Sequence, residues 1–181
     1  ACWDEENILS LRTNHRVTWV GTVRYPGGVP TDEEDQVAQI LMKMNCYPVF
    51  VKSDMKIKFY DNYCKRTLWP ILHQIADVYS TTNSDRDRKE ENDCWFAFTT
   101  VTRLVRDRVV EVYQNGDLVW IHGFHLMLLP SFLRRLIPLA KIGIFFHTPF
   151  PSSEIWRTMN RREDLLRGLL GADHIGFHLY E

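Results

Sequence analysis

Apolar positions along the chain fall into short runs that switch between a strand-like and a helix-like rhythm. Residues 17–23 (VTWVGTV) are rich in β-branched side chains and run into Tyr25-Pro26-Gly27-Gly28, which predicts a strand followed by an ordinary turn. Thr31 and Glu34 form a capping-box pattern, after which Val37, Ile40, Leu41 and Met44 recur at helical spacing. Residues 46–51 (CYPVFV) predict the next strand, and 59–68 a helix. Trp69-Pro70 marks a boundary or kink, because proline disfavours helical backbone in the residue before it and has no N–H to donate.

Residues 80–93 (STTNSDRDRKEEND) contain no apolar side chain, so they predict a solvated, mobile loop within the domain. Trp95, Phe98, Val101, Val105 and Val109 then trace one helical face, and Asn115-Gly116 closes that helix before a strand at 117–121 (DLVWI). A helix at 126–136, a strand at 141–147 (KIGIFFH), one or two helices at 153–171 and a strand at 174–178 complete the pattern. Apolar strands alternating with helices predict an α/β, Rossmann-like three-layer domain with a mostly parallel sheet. At 181 residues the chain is long enough for one such domain.

Composition narrows the partners. Lys and Arg number 22 against 23 Asp and Glu, so no broad field favours nucleic acid or an anionic membrane, and neither is expected as a partner. The apolar stretch 118–133 is interrupted by His122, Gly123, His125 and Pro130, too broken for a span of about 20 apolar residues. The first residues lack the basic and apolar regions of a signal peptide. Cys2, Cys46, Cys64 and Cys94 form no CxxC pair and read as free thiols of a cytoplasmic protein.

In parallel sheets ligands bind beyond the carboxyl ends of the strands, which directs attention to the residues after DLVWI and KIGIFF. Both runs lead to histidine: His122-Gly123-Phe124-His125 after the first, His147-Thr148-Pro149-Phe150-Pro151-Ser152-Ser153-Glu154 after the second. An imidazole and open backbone N–H groups at such an edge can hold sugar hydroxyls or phosphate without a metal. His122 and His125 offer two zinc ligands with no third at a recognisable spacing, so no metal is expected; satisfied, half-buried histidines are the plainer alternative. No GxGxxG comes after any strand, which argues against dinucleotide binding.

Taken together, WDE at Trp3, the strand-loop-helix of 17–41, KFY at Lys58, TLWP at Thr67, VWIH at Val119, HLM at His125, HTPFPSSEI at His147, LLR at Leu165 and IGFH at Ile175 resemble the trehalose-6-phosphate synthase family. These are retaining glycosyltransferases of the GT-B fold that move glucose from UDP-glucose to glucose 6-phosphate. The resemblance spans nearly the whole chain and is closest in feel to synthase/phosphatase-type two-part proteins. It implies that residues 1–181 are the N-terminal, acceptor-side Rossmann-like domain of a GT-B glycosyltransferase, truncated at both ends. Its implied partners are a sugar phosphate, a C-terminal GT-B domain and a phosphatase domain in the same chain; no cofactor is implied beyond the two substrates.

Residue by residue, the resemblance assigns Tyr60 and Trp69 to the glucose 6-phosphate pocket and His147 to a catalytic position near the transferred glucose. A phenol hydroxyl can meet a phosphate oxygen while an indole offers a flat face to a sugar; an aromatic pair packed into the core is the alternative. Gly123 stands where the family's HDYH motif carries a substrate-binding aspartate, so a carboxylate acceptor is lost, and Phe124 replaces the tyrosine. The family's first strand, its glycine-rich loop and a phosphate-gripping arginine would precede Trp3. The expectation is an isolated chain without activity, and a gain of activity on Gly123→Asp in the full-length protein unless the backbone there has positive φ. A non-catalytic, sugar-phosphate-sensing or regulatory module is the competing reading.

Overall fold

A computed structural model describes residues 16–23, 28–75 and 85–178. Cys2, the turn expected at 25–27 and residues 80–84 of the expected loop lie outside them. The chain up to Phe50 and the chain from Val51 form two compact units.

In the first unit, β1 (Trp19–Thr22) and β2 (Cys46–Val49) pair in parallel, Trp19 opposite Cys46 and Thr22 opposite Val49. Parallel neighbours need a crossover, and α1 (Glu34–Met42) supplies it, packed on β2. The helix starts later than the capping-box pattern suggests. Glu33 precedes it without a side-chain cap, and Glu34 and Asp35 complement the helix dipole in the first turn instead.

The second unit opens with a continuous helical run: α2 (Ser53–Lys56), a π-helical segment (Ile57–Leu68) and α3 (Trp69–Leu72). The boundary expected at Trp69-Pro70 is therefore a change of hydrogen-bond register rather than an end. Trp69 N–H still donates to Cys64, five residues back, whereas His73 N–H donates to Trp69, four back. Proline fits at this switch because it opens the α-helical turn, where its missing N–H is tolerated.

Helix α4 (Asp85–Val112) overturns part of the expected loop, since 85–93 form its first turns. Lys, Arg and Glu are good helix formers, and extending a helix already anchored by its apolar face costs little. Tertiary contacts also hold this polar end: Asn160 donates to Glu91, Arg161 to Asn92, and Lys58 lies 3.5 Å from Asp93. Further on, Cys94, Phe98, Val101, Val105 and Val109 are buried at helical spacing. Phe98 packs against Phe59, Tyr63 and Trp95, locking α4 along the π segment.

After α4 come β3 (Leu118–His122), a 3₁₀ turn (Phe124–Leu126), α5 (Leu129–Leu136), β4 (Lys141–Phe146), α6 (Ser153–Arg157), α7 (Arg162–Leu169) and β5 (His174–Phe177). The strands form a parallel sheet in the order β3-β4-β5. Ile121, Ile142, Ile144 and Phe146 bury one face, with α5 packed on β4 and α7 packed on α5. The other face carries Trp120, His122 and Phe145 toward the carboxyl ends. Arg134 ties the edge together by donating to Gly171, Pro138 and Ala140 carbonyls and to Asp173. Every strand pairing among the described residues is parallel, as the sequence pattern predicts. No helix among the described residues is long and apolar enough to cross a membrane.

Candidate functional site

Tyr60 and Trp69 lie nine residues apart on the helical run. At about 100° per residue an α-helix would leave them about half a turn apart, on opposite faces. The wider i→i+5 turn of a π-helix fits nine residues into about two turns and returns both to one face. Both rings accordingly meet the same loop. Tyr60 stacks on His125 at 5.4 Å, Trp69 lies 6.1 Å from Phe124, and Phe124 and His125 stack on each other at 4.1 Å. Tyr60 and Trp69 keep 36% and 42% of their surface exposed, so neither belongs to the core.

Neighbours hold these rings in place. His73 stacks on Trp69 at 3.6 Å and hydrogen-bonds the Trp69 carbonyl through Nδ1 at 2.8 Å. A carbonyl only accepts, so Nδ1 carries a proton. Lys65 places its ammonium 4.7 Å from the Tyr60 ring centre and 3.5 Å from Asp61.

Gly123 joins this aromatic wall to the strand ends. Its N–H donates to the Phe145 carbonyl at 2.8 Å, extending the ladder one residue past β3, and the chain then turns with φ +80 and ψ 164. That region is essentially restricted to glycine. A Cβ at 123 would also meet Nδ1 of His125 at 3.2 Å. The positive φ removes the condition under which an aspartate at 123 is expected to restore activity. Glycine here shapes the loop that carries Phe124 and His125.

On the other side of Gly123 lies a row of imidazoles. His122 ends β3, His147 comes directly after β4 and His178 directly after β5, with Nδ1 of His122 3.3 Å from Nε2 of His147 and Nδ1 of His147 3.1 Å from Nε2 of His178. Burial, then the neighbouring His147, pushes the His122 pKa down to about 4. Burial chiefly, with Lys65 adding to it, does the same for His125, also to about 4. His147 is lowered by burial and by His178. These rings are neutral at physiological pH and serve as hydrogen-bonding groups rather than cations. Next to His147, Thr148 is buried and its hydroxyl has no partner among the described residues.

Tyr60, Trp69 and Gly123 thus converge on one loop, and His147 lies on the far side of Gly123, linked through His122. His73, Thr148 and His178 join them without having been singled out from the sequence. The wall and the imidazole row both lie at the carboxyl ends of a parallel α/β sheet, the usual place for small-molecule chemistry in this class of fold. Residues 5–181 match glycosyltransferase family 20, and the chain belongs to that family. It is 38% identical to a probable UDP-forming alpha,alpha-trehalose-phosphate synthase 9 of Arabidopsis thaliana, over 99% of this chain and 21% of that protein. It is 40% identical to the trehalose synthase complex regulatory subunit TSL1 of Saccharomyces cerevisiae, over 97% of this chain and 16% of that protein. The N-terminal domain of trehalose-6-phosphate phosphatase from Candida albicans superposes with a TM-score of 0.69 at 33% identity, covering 83% of this chain and 31% of that one. The chain spans about a fifth of the length of the plant relatives it matches.

Proposed function

We propose that the chain is the N-terminal, acceptor-side domain of a trehalose-6-phosphate synthase-type glycosyltransferase, serving trehalose biosynthesis as part of a longer protein. In this reading Tyr60 and Trp69 hold glucose 6-phosphate, His147 lies near the glucose transferred from UDP-glucose, and a second GT-B domain completes the cleft. The observation that carries it is the π register, which turns two solvent-open aromatic rings toward one loop. One domain alone cannot hold donor and acceptor together, so the isolated chain is inactive. The free thiols of Cys46, Cys64 and Cys94 support a cytoplasmic setting. The test is UDP release by the full-length protein: glucose 6-phosphate should stimulate it and Trp69→Ala should abolish the stimulation.

A second reading, a non-catalytic module that binds sugar phosphate or organises partners, is favoured by Gly123. Its glycine-only backbone supplies no carboxylate where the resembling enzymes carry one. A regulatory subunit and the N-terminal domain of a phosphatase among its relatives support the same reading. Saturable glucose 6-phosphate binding without any UDP release would select it.

A further inference from the structure

The face of the helical run that carries Tyr60 and Trp69 also carries Lys65. A π turn takes about four and a half residues, so Lys65, five after Tyr60 and four before Trp69, falls one turn from each. In an α-helix five residues at about 100° each would overshoot a full turn by more than a third and swing Lys65 away from Tyr60. The register that brings the two aromatic rings to one face therefore sets a cation between them.

The contacts agree with that placement. The Lys65 ammonium lies 4.7 Å from the centre of the Tyr60 ring, within cation–π range. It also lies 3.5 Å from the carboxylate of Asp61, four residues back, and both side chains are about half-exposed. His125, stacked on Tyr60, is kept neutral chiefly by burial, with the charge of Lys65 adding to it. Where Tyr60 meets the loop, His125 thus brings a flat, uncharged ring and Lys65 brings the positive charge.

We propose that Lys65 is the phosphate-selecting residue of this face: its ammonium leaves Asp61 and pairs with the phosphate of a glucose 6-phosphate held by Tyr60 and Trp69. The proposal rests on the assignment of those two rings to a sugar phosphate and adds the group that distinguishes a phosphorylated sugar from a plain one. An exposed lysine–carboxylate pair is screened by water and salt and contributes little, so giving it up costs little. A phosphate monoester carries roughly −1.5 to −2 charges near neutral pH against one on Asp61, so the exchange favours the ligand. The Tyr60 hydroxyl donates one hydrogen bond to a phosphate oxygen, and the ammonium, with three donors on a flexible stem, follows to another. Asp61 competes for the same ammonium and repels the same anion.

The experiment is calorimetric titration of glucose 6-phosphate, and separately of UDP, into the full-length protein and its Lys65→Gln, Lys65→Arg, Asp61→Asn and Trp69→Ala variants at two salt concentrations. Lys65 and Asp61 are half-exposed, so their variants should keep the fold, which thermal unfolding checks. Lys65→Gln should weaken glucose 6-phosphate binding at least about tenfold and flatten its salt dependence, because a charge-assisted hydrogen bond is lost. Lys65→Arg should keep most of the affinity, and Asp61→Asn should tighten it. UDP should bind Lys65→Gln and the unmodified protein equally. Equal glucose 6-phosphate affinity in Lys65→Gln, with Trp69→Ala still weakening it, would overturn the role of Lys65 and leave the aromatic pocket standing. A loss of UDP binding alone in Lys65→Gln would give the ammonium to the nucleotide's diphosphate and overturn it as well. No glucose 6-phosphate binding by the unmodified protein would overturn the pocket and Lys65 together.

Discussion

Tyr60 and Trp69 face the same loop from a single helix because the helix between them is wound as a π-helix. Tyr60 touches that loop through His125 and Trp69 through Phe124, and these two loop rings stack on each other. The loop in turn depends on Gly123, so the helix, the glycine and the strand end form one mechanical unit at the candidate site.

Gly123→Asp should therefore not raise activity. The backbone at φ +80 and ψ 164 penalises any side chain by about 1–3 kcal/mol, and a Cβ there presses on His125. Urea unfolding should show that loss for both Gly123→Asp and Gly123→Ala. UDP release by the full-length protein, compared at equal folded fraction, should not rise. A clear gain of activity with aspartate would show that the loop readily adopts another conformation.

Acid should weaken the domain well before its carboxylates titrate. His122 and His125 hold folded pKa values of about 4, mainly through burial, against about 6.5 in an unfolded chain. Between those values the unfolded state binds more protons, so stability falls as the pH drops through that window and the loss is complete below it. His125→Phe should flatten the decline measured by urea unfolding at a series of pH values from neutral to acid. An equally steep decline in that variant would place the effect elsewhere.

Arg134 and Asp173 should show a different pH window. The Asp173 carboxylate accepts the Ile142 N–H and an Arg134 N–H, each at 2.8 Å, and these bonds hold its pKa below the usual carboxylate range. A depressed carboxylate pKa stabilises the fold above the unfolded value, and that stabilisation disappears as the pH falls through the folded value. Asp173→Asn should remove this strongly acidic component and leave the histidine window intact. Arg134→Lys should destabilise at neutral pH, because an ammonium cannot reproduce a fork that serves three carbonyls and a carboxylate.

Phe98 is fully buried among Phe59, Tyr63 and Trp95 where α4 meets the π segment. Phe98→Ala should cost about 3–5 kcal/mol. Hydrogen exchange of α4 amides, accelerated relative to those of β4, would report it, and a loss below about 1 kcal/mol would mean that this junction is not central to the fold.

The strands were legible because VTWVGTV, DLVWI and KIGIFF each concentrate β-branched and apolar residues in runs too short for helices. The start of α4 was not, since residues 85–93 hold no apolar side chain and owe their helix to the anchored turns beyond them and to polar contacts from Asn160 and Arg161. Nothing in IKFYDNYCKRTL distinguishes a π from an α register. The identities of Tyr60, Trp69 and His147 could be read from motifs, but their arrangement could not. Glycine permits either sign of φ, so the conformation of Gly123 was open until its neighbours were placed. His178 closed the IGFH motif without an evident role, and only the β4–β5 register brings it beside His147.

Calorimetric titration of glucose 6-phosphate into the full-length protein and its Tyr60→Ala and Trp69→Ala variants tests the aromatic wall most directly. Saturable binding by the unmodified protein is expected, weakened at least about tenfold, or about 1.4 kcal/mol, by either substitution while the fold is retained. No binding by the unmodified protein, or equal affinity in both folded variants, would contradict the assignment of this aromatic wall to a sugar phosphate.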